Sequence, residues 1–234
     1  MKLGLIGMLA FLMMGSLTAQ AYTPPTGYIL NQALKKREGL KQLVFEGKIT
    51  DTKRNAVFKE KIWINFQTGK VFAAYFGPND ESMGALQTDL NDIHRLGKFW
   101  FGVALDPNGQ RFKQALEELN AIPHNQSVAN LTRVDHKTMW SWGDEVTIQF
   151  YKDEFLASDY KDGINDSLEE IYLKDYTSSG AAIRVPKNVL VKIKNQDSFL
   201  FEMTGLKINT AFKDPNVRAP ISSESIREWV TLVR

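Results

Sequence analysis

Apolar residues alternate with polar residues along most of this chain, which is the pattern of β-strands that bury one face. In residues 61–66, for example, Ile62, Ile64 and Phe66 fall on the same face of the strand. Short polar turns separate segments of this kind. We therefore predict about ten strands, within residues 43–49, 56–66, 71–76, 127–135, 137–143, 145–151, 154–161, 168–178, 188–195, 198–205 and 206–212.

At the two ends of the chain and in its middle, the apolar residues have the spacing of a helix instead. We predict a helix over about 27–41 and a C-terminal helix around Trp229, with Ser222 or Ser223 as its N-cap. In the middle, two sets of apolar residues recur at i, i+4 and i+7: Leu86, Leu90 and Ile93, then Phe112, Leu116 and Leu119. Residues 79–123 are thus predicted as a helical insertion, in which two amphipathic helices flank a connector rich in aromatic residues.

The turns between the strands are short and polar. Lys152–Glu154 separates two strands of the segment VTIQFYKDEFLASDY (146–160), and Gln196–Asp197 fits a tight hairpin turn. Many short, evenly spaced strands in one domain predict a large, curved antiparallel sheet.

The first 21 residues have the three parts of a cleavable export signal. Lys2 gives a positive start, residues 3–14 form an apolar stretch, and Ala19–Ala21 matches the small-x-small cleavage pattern. The apolar stretch is shorter than the roughly 20 residues of a membrane-spanning helix. A buried N-terminal helix is the alternative interpretation. We predict cleavage after Ala21, export to a bacterial periplasm, and one domain over residues 22–234.

The composition narrows the class of protein further. The chain has no cysteine, so an exported domain of this size relies on a packed core rather than on disulfides. It carries 29 Lys and Arg against 27 Asp and Glu, a formal net charge of +2, and no basic stripe stands out. Nucleic acid is therefore not a predicted partner, and no transmembrane segment is predicted beyond the signal.

No motif for catalysis or metal binding stands out. His94, His124 and His136 lack the spacing of metal ligands, so we predict no metal site and no cofactor. The acidic pairs Asp153–Glu154 and Asp159–Asp162 are candidates for the two carboxylates of glycoside hydrolysis. Because Asp is also a common turn residue, the sequence favours a protein that is not an enzyme.

Some strands carry large apolar residues on both faces, although an antiparallel sheet usually leaves one face in water. Trp63, Phe72 and Trp140 are examples. One interpretation is a sheet covered by helices on one face and by loops on the other. The second is a curved sheet whose concave face, covered by the middle helices, holds an apolar ligand. A ligand defined by its acyl chains suits such a site, because apolar contact is non-directional.

Four parts of the chain together resemble the LolA/LolB-like superfamily of periplasmic lipoprotein carriers and outer-membrane lipoprotein receptors. They are the segment YILNQALKKREGLKQLVFEGKIT (28–50), the meander over 43–76, the hairpin over 146–160, and the late strands RVPKNVLVKIKNQDSFLFEMTGLKINTAF (184–212) with Pro215 beyond them. The resemblance implies an α+β fold, a large curved antiparallel sheet in the form of an unclosed half-barrel, with helices covering the concave face. Characterised carriers of this superfamily hold lipoprotein acyl chains in the hydrophobic cavity under those helices.

The chain also departs from the carriers. Residues 79–123 are longer than a carrier's lid, and no residue is matched to the buried basic residue that latches that lid. The absence of an N-terminal Cys disfavours an anchored receptor.

The resemblance implies a binding or carrier protein for a lipid or an acylated lipoprotein, acting in outer-membrane or envelope biogenesis. An outer-membrane or envelope protein is a candidate further partner. The candidates for the lining of the cavity are Ile62, Ile64, Phe66, Phe72, Phe99, Trp100, Phe101, Trp140, Trp142, Ile148, Phe150, Val191, Phe199 and Phe201. The alternatives are a protein-interaction or sensing module that uses the same concavity, and an envelope enzyme.

Overall fold

The structure is a computed structural model that describes residues 23–122, 129–134, 136–143, 145–163, 168–178, 183–212 and 219–234. The predicted export signal, His124 and Pro215 lie outside these residues. Eleven strands are present in them: β1 (Gln42–Asp51), β2 (Ala56–Asn65), β3 (Lys70–Phe76), β4 (Ser82–Asp89), β5 (Asn130–Val134), β6 (Lys137–Trp142), β7 (Val146–Tyr151), β8 (Ala157–Asp162), β9 (Glu169–Thr177), β10 (Val185–Ile193) and β11 (Gln196–Ile208).

All eleven strands belong to one antiparallel sheet. Its order is β4-β3-β2-β1-β11-β10-β9-β8-β7-β6-β5. The two end strands, β4 and β5, do not pair with each other in this order, so the sheet is not closed. The predicted unclosed, curved antiparallel sheet is confirmed.

The helices lie before, inside and after this sheet in the sequence: α1 (Thr26–Lys35), α2 (Arg95–Gly97), a π-helical turn (Lys98–Val103) that continues α2, α3 (Gly109–Glu118) and α4 (Glu224–Val233). The predicted N-terminal helix is confirmed as α1, although it ends at Lys35 and turns follow it in place of a helix up to residue 41. The predicted C-terminal helix is confirmed as α4. Ser223 is the N-cap residue of α4, although its side chain makes no capping hydrogen bond. No helix of the described residues is long and apolar enough to cross a membrane.

One hydrophobic core joins the helices to the sheet. Residues of all the strands from β1 to β3 and from β6 to β11 contribute to it, together with residues of α1, the π-helical turn, α3 and α4. We call the sheet face that carries these side chains the inner face, and the opposite one the outer face. The predicted arrangement of helices over the concave face is confirmed.

The prediction of the first of the two helices within 79–123 is wrong. Ser82–Asp89 is β4, which pairs with β3 and places Leu86 opposite Ala73. Leu90 and Ile93 follow the strand in turns and are buried. Helical spacing arose here because one strand residue and two loop residues all point to the core. If residues 82–89 formed a helix, the main-chain groups at the edge of β3 would lack these partners. Pairing with β4 satisfies them. The second predicted helix is confirmed as α3.

Two details of the late strands also differ from the prediction. Residues 198–205 and 206–212 were expected as separate strands, but β11 runs without interruption from Gln196 to Ile208 between β10 and β1. The turn before it is formed by Lys194 and Asn195, with φ of 53° and 62°, and Gln196 already pairs with Ile193. A two-residue hairpin turn of type I′ has positive φ at both residues, which Asn tolerates well. The turn predicted at Lys152–Glu154 is confirmed.

Candidate ligand-binding interior

The predicted cavity residues, with one exception, are brought together in the core. None of them is more than 5% exposed, and they line the inner face or the helical layer over it: Ile62, Ile64, Phe66, Phe99, Trp100, Phe101, Trp140, Trp142, Ile148, Phe150, Val191, Phe199 and Phe201. The side chains that the sequence predicted as one apolar lining therefore do share one interior.

The exception is Phe72, which lies on the outer face of β3. Phe72 pairs with Trp63 of β2, while Ala73 pairs with Ile62. Because side chains alternate along a strand, Ala73 faces the core and Phe72 faces away from it. Phe72 is still buried, since large neighbours such as Trp63 share the outer face with it.

The three consecutive aromatic residues of the π-helical turn fill the centre of the interior. The ring centroids of Trp100 and Phe101 lie 4.6 Å apart, and Trp100 lies 5.1 Å from Phe201 and 6.2 Å from Trp229. Phe99 stacks on Tyr160 at 5.7 Å. The protein's own rings thus occupy the space in which an apolar ligand would lie. Single π-helical turns are rare and occur frequently at functional sites.

A glycine allows the π-helical turn to lie close against α4. A Cβ at Gly97 would come within 2.1 Å of the main-chain oxygen of Val233, closer than any atom tolerates. The ring nitrogen Nδ1 of the neighbouring His94 lies 2.9 Å from the oxygen of Leu232. The absence of a side chain at Gly97 therefore lets these two parts of the helical layer pack as one unit.

A group of ion pairs fixes the beginning of α4 to the turn between β1 and β2. Arg54 contacts Glu228 at 2.6 Å, Glu224 at 2.9 Å and Asp51 at 2.9 Å. Burial alone raises the pKa of Asp51, but hydrogen bonds from Ser225 and Arg54 outweigh it and lower the pKa. The ionised form of Asp51 is therefore the one that the folded protein stabilises.

A buried ion pair fixes the end of α4 to β2. Arg234 Nη2 lies 2.6 Å from Glu60 Oε1, and the two side chains are 2% and 0% exposed. The indole Nε1 of Trp229 donates to Glu60 Oε2 at 3.1 Å, and the Arg234 guanidinium lies 4.6 Å from the centroid of Phe101. Burial, with the nearby Glu60 carboxylate, raises the pKa of Tyr75 well above its usual value. This pair joins the sheet, α4 and the π-helical turn at one point.

A second buried charge group holds the start of α3. Asp106 accepts hydrogen bonds from Arg111 Nε at 2.6 Å and Nη2 at 3.0 Å, a bidentate pair. Arg37, which follows α1, donates to the main-chain oxygen of Asp106 at 3.2 Å and stacks on Phe112. Burial lowers the pKa of Arg37 to about 10 and raises the pKa of Asp106. These contacts join the end of α1 to α3 and to the segment between the π-helical turn and α3.

The ion pairs that hold α2 to β8 and the π-helical turn to α3 are less buried. Arg95 pairs with Asp162 of β8, and Lys98 pairs with Glu118 of α3. The Arg95 side chain is 42% exposed and the Glu118 side chain 34%. Water and salt therefore screen these two pairs more than the Glu60–Arg234 pair.

Sequence reasoning missed these charged residues of the interior. Glu60 had a signal, because it lies two residues from both Phe58 and Ile62, on the same side of the strand, and so points to the inner face of β2. For Arg37 and Arg234, the sequence gives no comparable signal, since each follows a helix at a position that either solvent or core can occupy.

The carboxylates considered for catalysis do not come together. Asp159 pairs with Gln149 on the outer face, whereas Asp162, three residues further along β8, lies on the inner side with Arg95. Glu154 is half exposed and pairs with Arg184. Burial raises the pKa of Asp159 to about 6. Within the described residues, no group of three or more His, Asp or Glu is placed to hold a metal ion.

Open space is found on the outer face. A groove of about 710 Å³ crosses β11, β1, β2 and β3, with Val57, Phe76 and Pro78 as its apolar residues. Lys48, Lys59 and Lys61 line its sides, and each lies within 4.0 Å of a carboxylate. None of the predicted cavity residues lines this groove.

Similar folds are found among solved structures. An outer membrane lipoprotein-sorting protein domain from Vibrio parahaemolyticus superposes with a TM-score of 0.49 at 8% identity, over 80% of this chain and 93% of that one. A LolA superfamily protein from Nitrosomonas europaea gives a TM-score of 0.49 at 9% identity, over 80% and 95%. A DUF1329 family protein from Desulfovibrio piger gives 0.46 at 11% identity, over 82% and 96%. No protein-family model matches the sequence, and no curated protein matches it.

Proposed function

We propose that this protein is a periplasmic carrier or binding protein for a lipid or an acylated lipoprotein, acting in outer-membrane or envelope biogenesis. It is exported by cleavage after Ala21 and works as one domain over residues 22–234. The acyl chains lie between the inner face of the sheet and the helical layer. One observation carries the proposal: most side chains of the inner face are apolar or aromatic, and separate short helices rather than a second sheet cover it.

Apolar burial is strong enough to replace the rings that now fill the interior. Burying one methylene stabilises by about 0.8 kcal/mol, so an acyl chain of about 14 methylenes gains roughly 11 kcal/mol. Moving Phe101 from full burial to water costs about 1.5–3 kcal/mol, and moving the larger Trp100, with up to about 250 Å² of buried area, costs up to about 6 kcal/mol.

The π-helical turn is the part of the layer that moves to admit the ligand. The Lys98–Glu118 pair of this turn and the Arg95–Asp162 pair of the adjoining α2 each have one partly exposed side chain, so solvent screens them more than a fully buried pair. Helix α4 is held by the buried Glu60–Arg234 pair, and separating such a pair costs about 3–5 kcal/mol. The ion pairs that opening at the π-helical turn breaks are therefore weaker than the pair that holds α4.

Native mass spectrometry of the protein purified from its own host tests the proposal. We expect a bound mass of lipid that leaves when detergent is added. A fluorescent fatty acid then compares two variants. Trp100→Ala should bind it more tightly than the unaltered protein, because the variant no longer has to move that ring. Phe72→Ala is the matched control, since it removes a buried aromatic residue from the outer face.

Two results together would overturn the carrier. They are a protein that leaves its host without lipid, and a Trp100→Ala variant that binds the fatty acid no better than Phe72→Ala. Cooperative urea unfolding of both variants shows that the comparison is between folded proteins.

A further inference from the structure

The two edge strands of the sheet differ in whether other residues cover their outer side. Beside β4, the main chains of Ala85 and Ala219 exchange two hydrogen bonds of 3.0 and 3.2 Å, and Ser222 donates to the oxygen of Met83 at 3.1 Å. Residues 219–222 therefore cover that edge. Strand β5 ends the sheet on the other side, and no described residue pairs with its free side.

Strand β5 carries few of the features by which proteins protect an open edge. Its five residues, NLTRV, contain no proline and one charge, Arg133, and their pairing with β6 runs without a bulge. Leu131 is 46% exposed and Val134 is 37% exposed. An open, regular edge with exposed apolar residues is a template for pairing with another strand.

The free main-chain groups of β5 belong to Leu131 and Arg133. The oxygen of Thr138 accepts from Lys152 of the turn after β7, so the main-chain groups of Thr138 point away from β5. In an antiparallel pair these directions alternate. Met139 therefore points to Thr132, its partner in the register, and the N–H and C=O of Leu131 and Arg133 point out of the sheet.

We propose that β5 pairs with β5 of a second copy of this chain, antiparallel, about a two-fold axis at Thr132. In this register Leu131 and Arg133 exchange main-chain hydrogen bonds with Arg133 and Leu131 of the copy, four bonds in all. The sheets of the two copies become continuous.

The side chains of β5 fit this register. The only charge of the strand, Arg133, faces the exposed Leu131 of the copy instead of another Arg. The Thr132 side chain faces that of the copy across the axis, and Thr–Thr pairs across strands are favourable. An isologous contact of this kind is closed, so it stops at a dimer.

A single introduced cysteine tests the register, because the chain has no other thiol. At Thr132 the two Cα atoms form a non-hydrogen-bonded pair about 4.5 Å apart, within the range that a disulfide spans. Thr132→Cys should form a linked dimer under mild oxidation. Asn130→Cys is the matched control on the same face of the strand. It faces Val134 of the copy, and its own counterpart lies about 13 Å away, so it should stay monomeric under the same oxidation.

Substitutions at Leu131 test the same register by sedimentation equilibrium, without relying on a thiol. Leu131→Glu faces Arg133 of the copy and should tighten the dimer, whereas Leu131→Lys should weaken it. With two such pairs in each dimer, the dissociation constant should change by about 2- to 30-fold in each direction. Because Leu131 is half exposed, neither change disturbs the core.

Arg133→Pro blocks the pairing directly. Its N–H points out of the sheet, so a proline there leaves the bonds to β6 intact, and a Thr132→Cys protein that also carries it should no longer link. Equal linking of Thr132→Cys and Asn130→Cys would overturn the proposal. A monomer at all concentrations, or linking of Thr132→Cys to another protein of the host in place of its own copy, would do so too.

Discussion

Replacing Arg234 by Met should destabilise the protein far more than an ordinary surface charge does. The Glu60–Arg234 pair is 0% and 2% exposed, and the contact between the two side chains is 2.6 Å. Without Arg234, the Glu60 carboxylate keeps the hydrogen bond from Trp229 but has lost its cation in an apolar interior. Removing one partner of a buried pair costs about 3–5 kcal/mol. The lost stacking of the guanidinium on Phe101 adds about 0.5–2 kcal/mol.

Urea unfolding at pH 7, followed by tryptophan fluorescence, measures this cost. Arg184→Met is the control, because the Arg184 and Glu154 side chains are 51% and 49% exposed, and exposed pairs contribute about 0–1 kcal/mol. A double variant, Glu60→Gln with Arg234→Met, removes both charges and should recover part of the stability, since no unpaired charge is then buried. A loss below about 1 kcal/mol for Arg234→Met, or a double variant no more stable than the single one, would refute the assignment of a buried pair.

Three further predictions concern packing and pH. Gly97→Ala should lower the free energy of unfolding by about 1–3 kcal/mol or more, because the new Cβ meets the oxygen of Val233 at 2.1 Å; thermal unfolding measures it, with Gly27→Ala, where the Cβ meets nothing, as the control. The pKa of Asp51 is lowered in the folded state, so its contribution is complete above the unfolded pKa and is lost as pH falls. Asp51→Asn should therefore destabilise at pH 7 and differ less from the unaltered protein below about pH 4. Burial raises the pKa of Asp159 to about 6, so stability falls as pH rises from about 4 to 6, and Asp159→Asn should remove that fall in urea midpoints measured across this range.

The strands and their buried faces were predictable where only every second residue is apolar. Val191 and Ile193 alternate with Lys192 and Lys194, and the inner face of β10 follows from that alternation. Where both parities are apolar, as in VFAAYF, the sequence does not choose a face, and pairing of Phe72 with Trp63 placed Phe72 outside. The spacing of Leu86 and its successors failed for a related reason, because three residues can point to one core without belonging to one helix.

The sequence by itself determined the antiparallel sheet, the apolar interior and the absence of a disulfide framework, because these depend on local alternation and on composition. The tertiary structure decided what fills that interior. Trp100 meets Trp229, and Glu60 meets Arg234 across 174 positions of the chain. Such contacts depend on which strands become neighbours and on how helices cross them. The local sequence pattern does not determine these contacts, because a residue with the same neighbours in sequence can face either solvent or a distant charge.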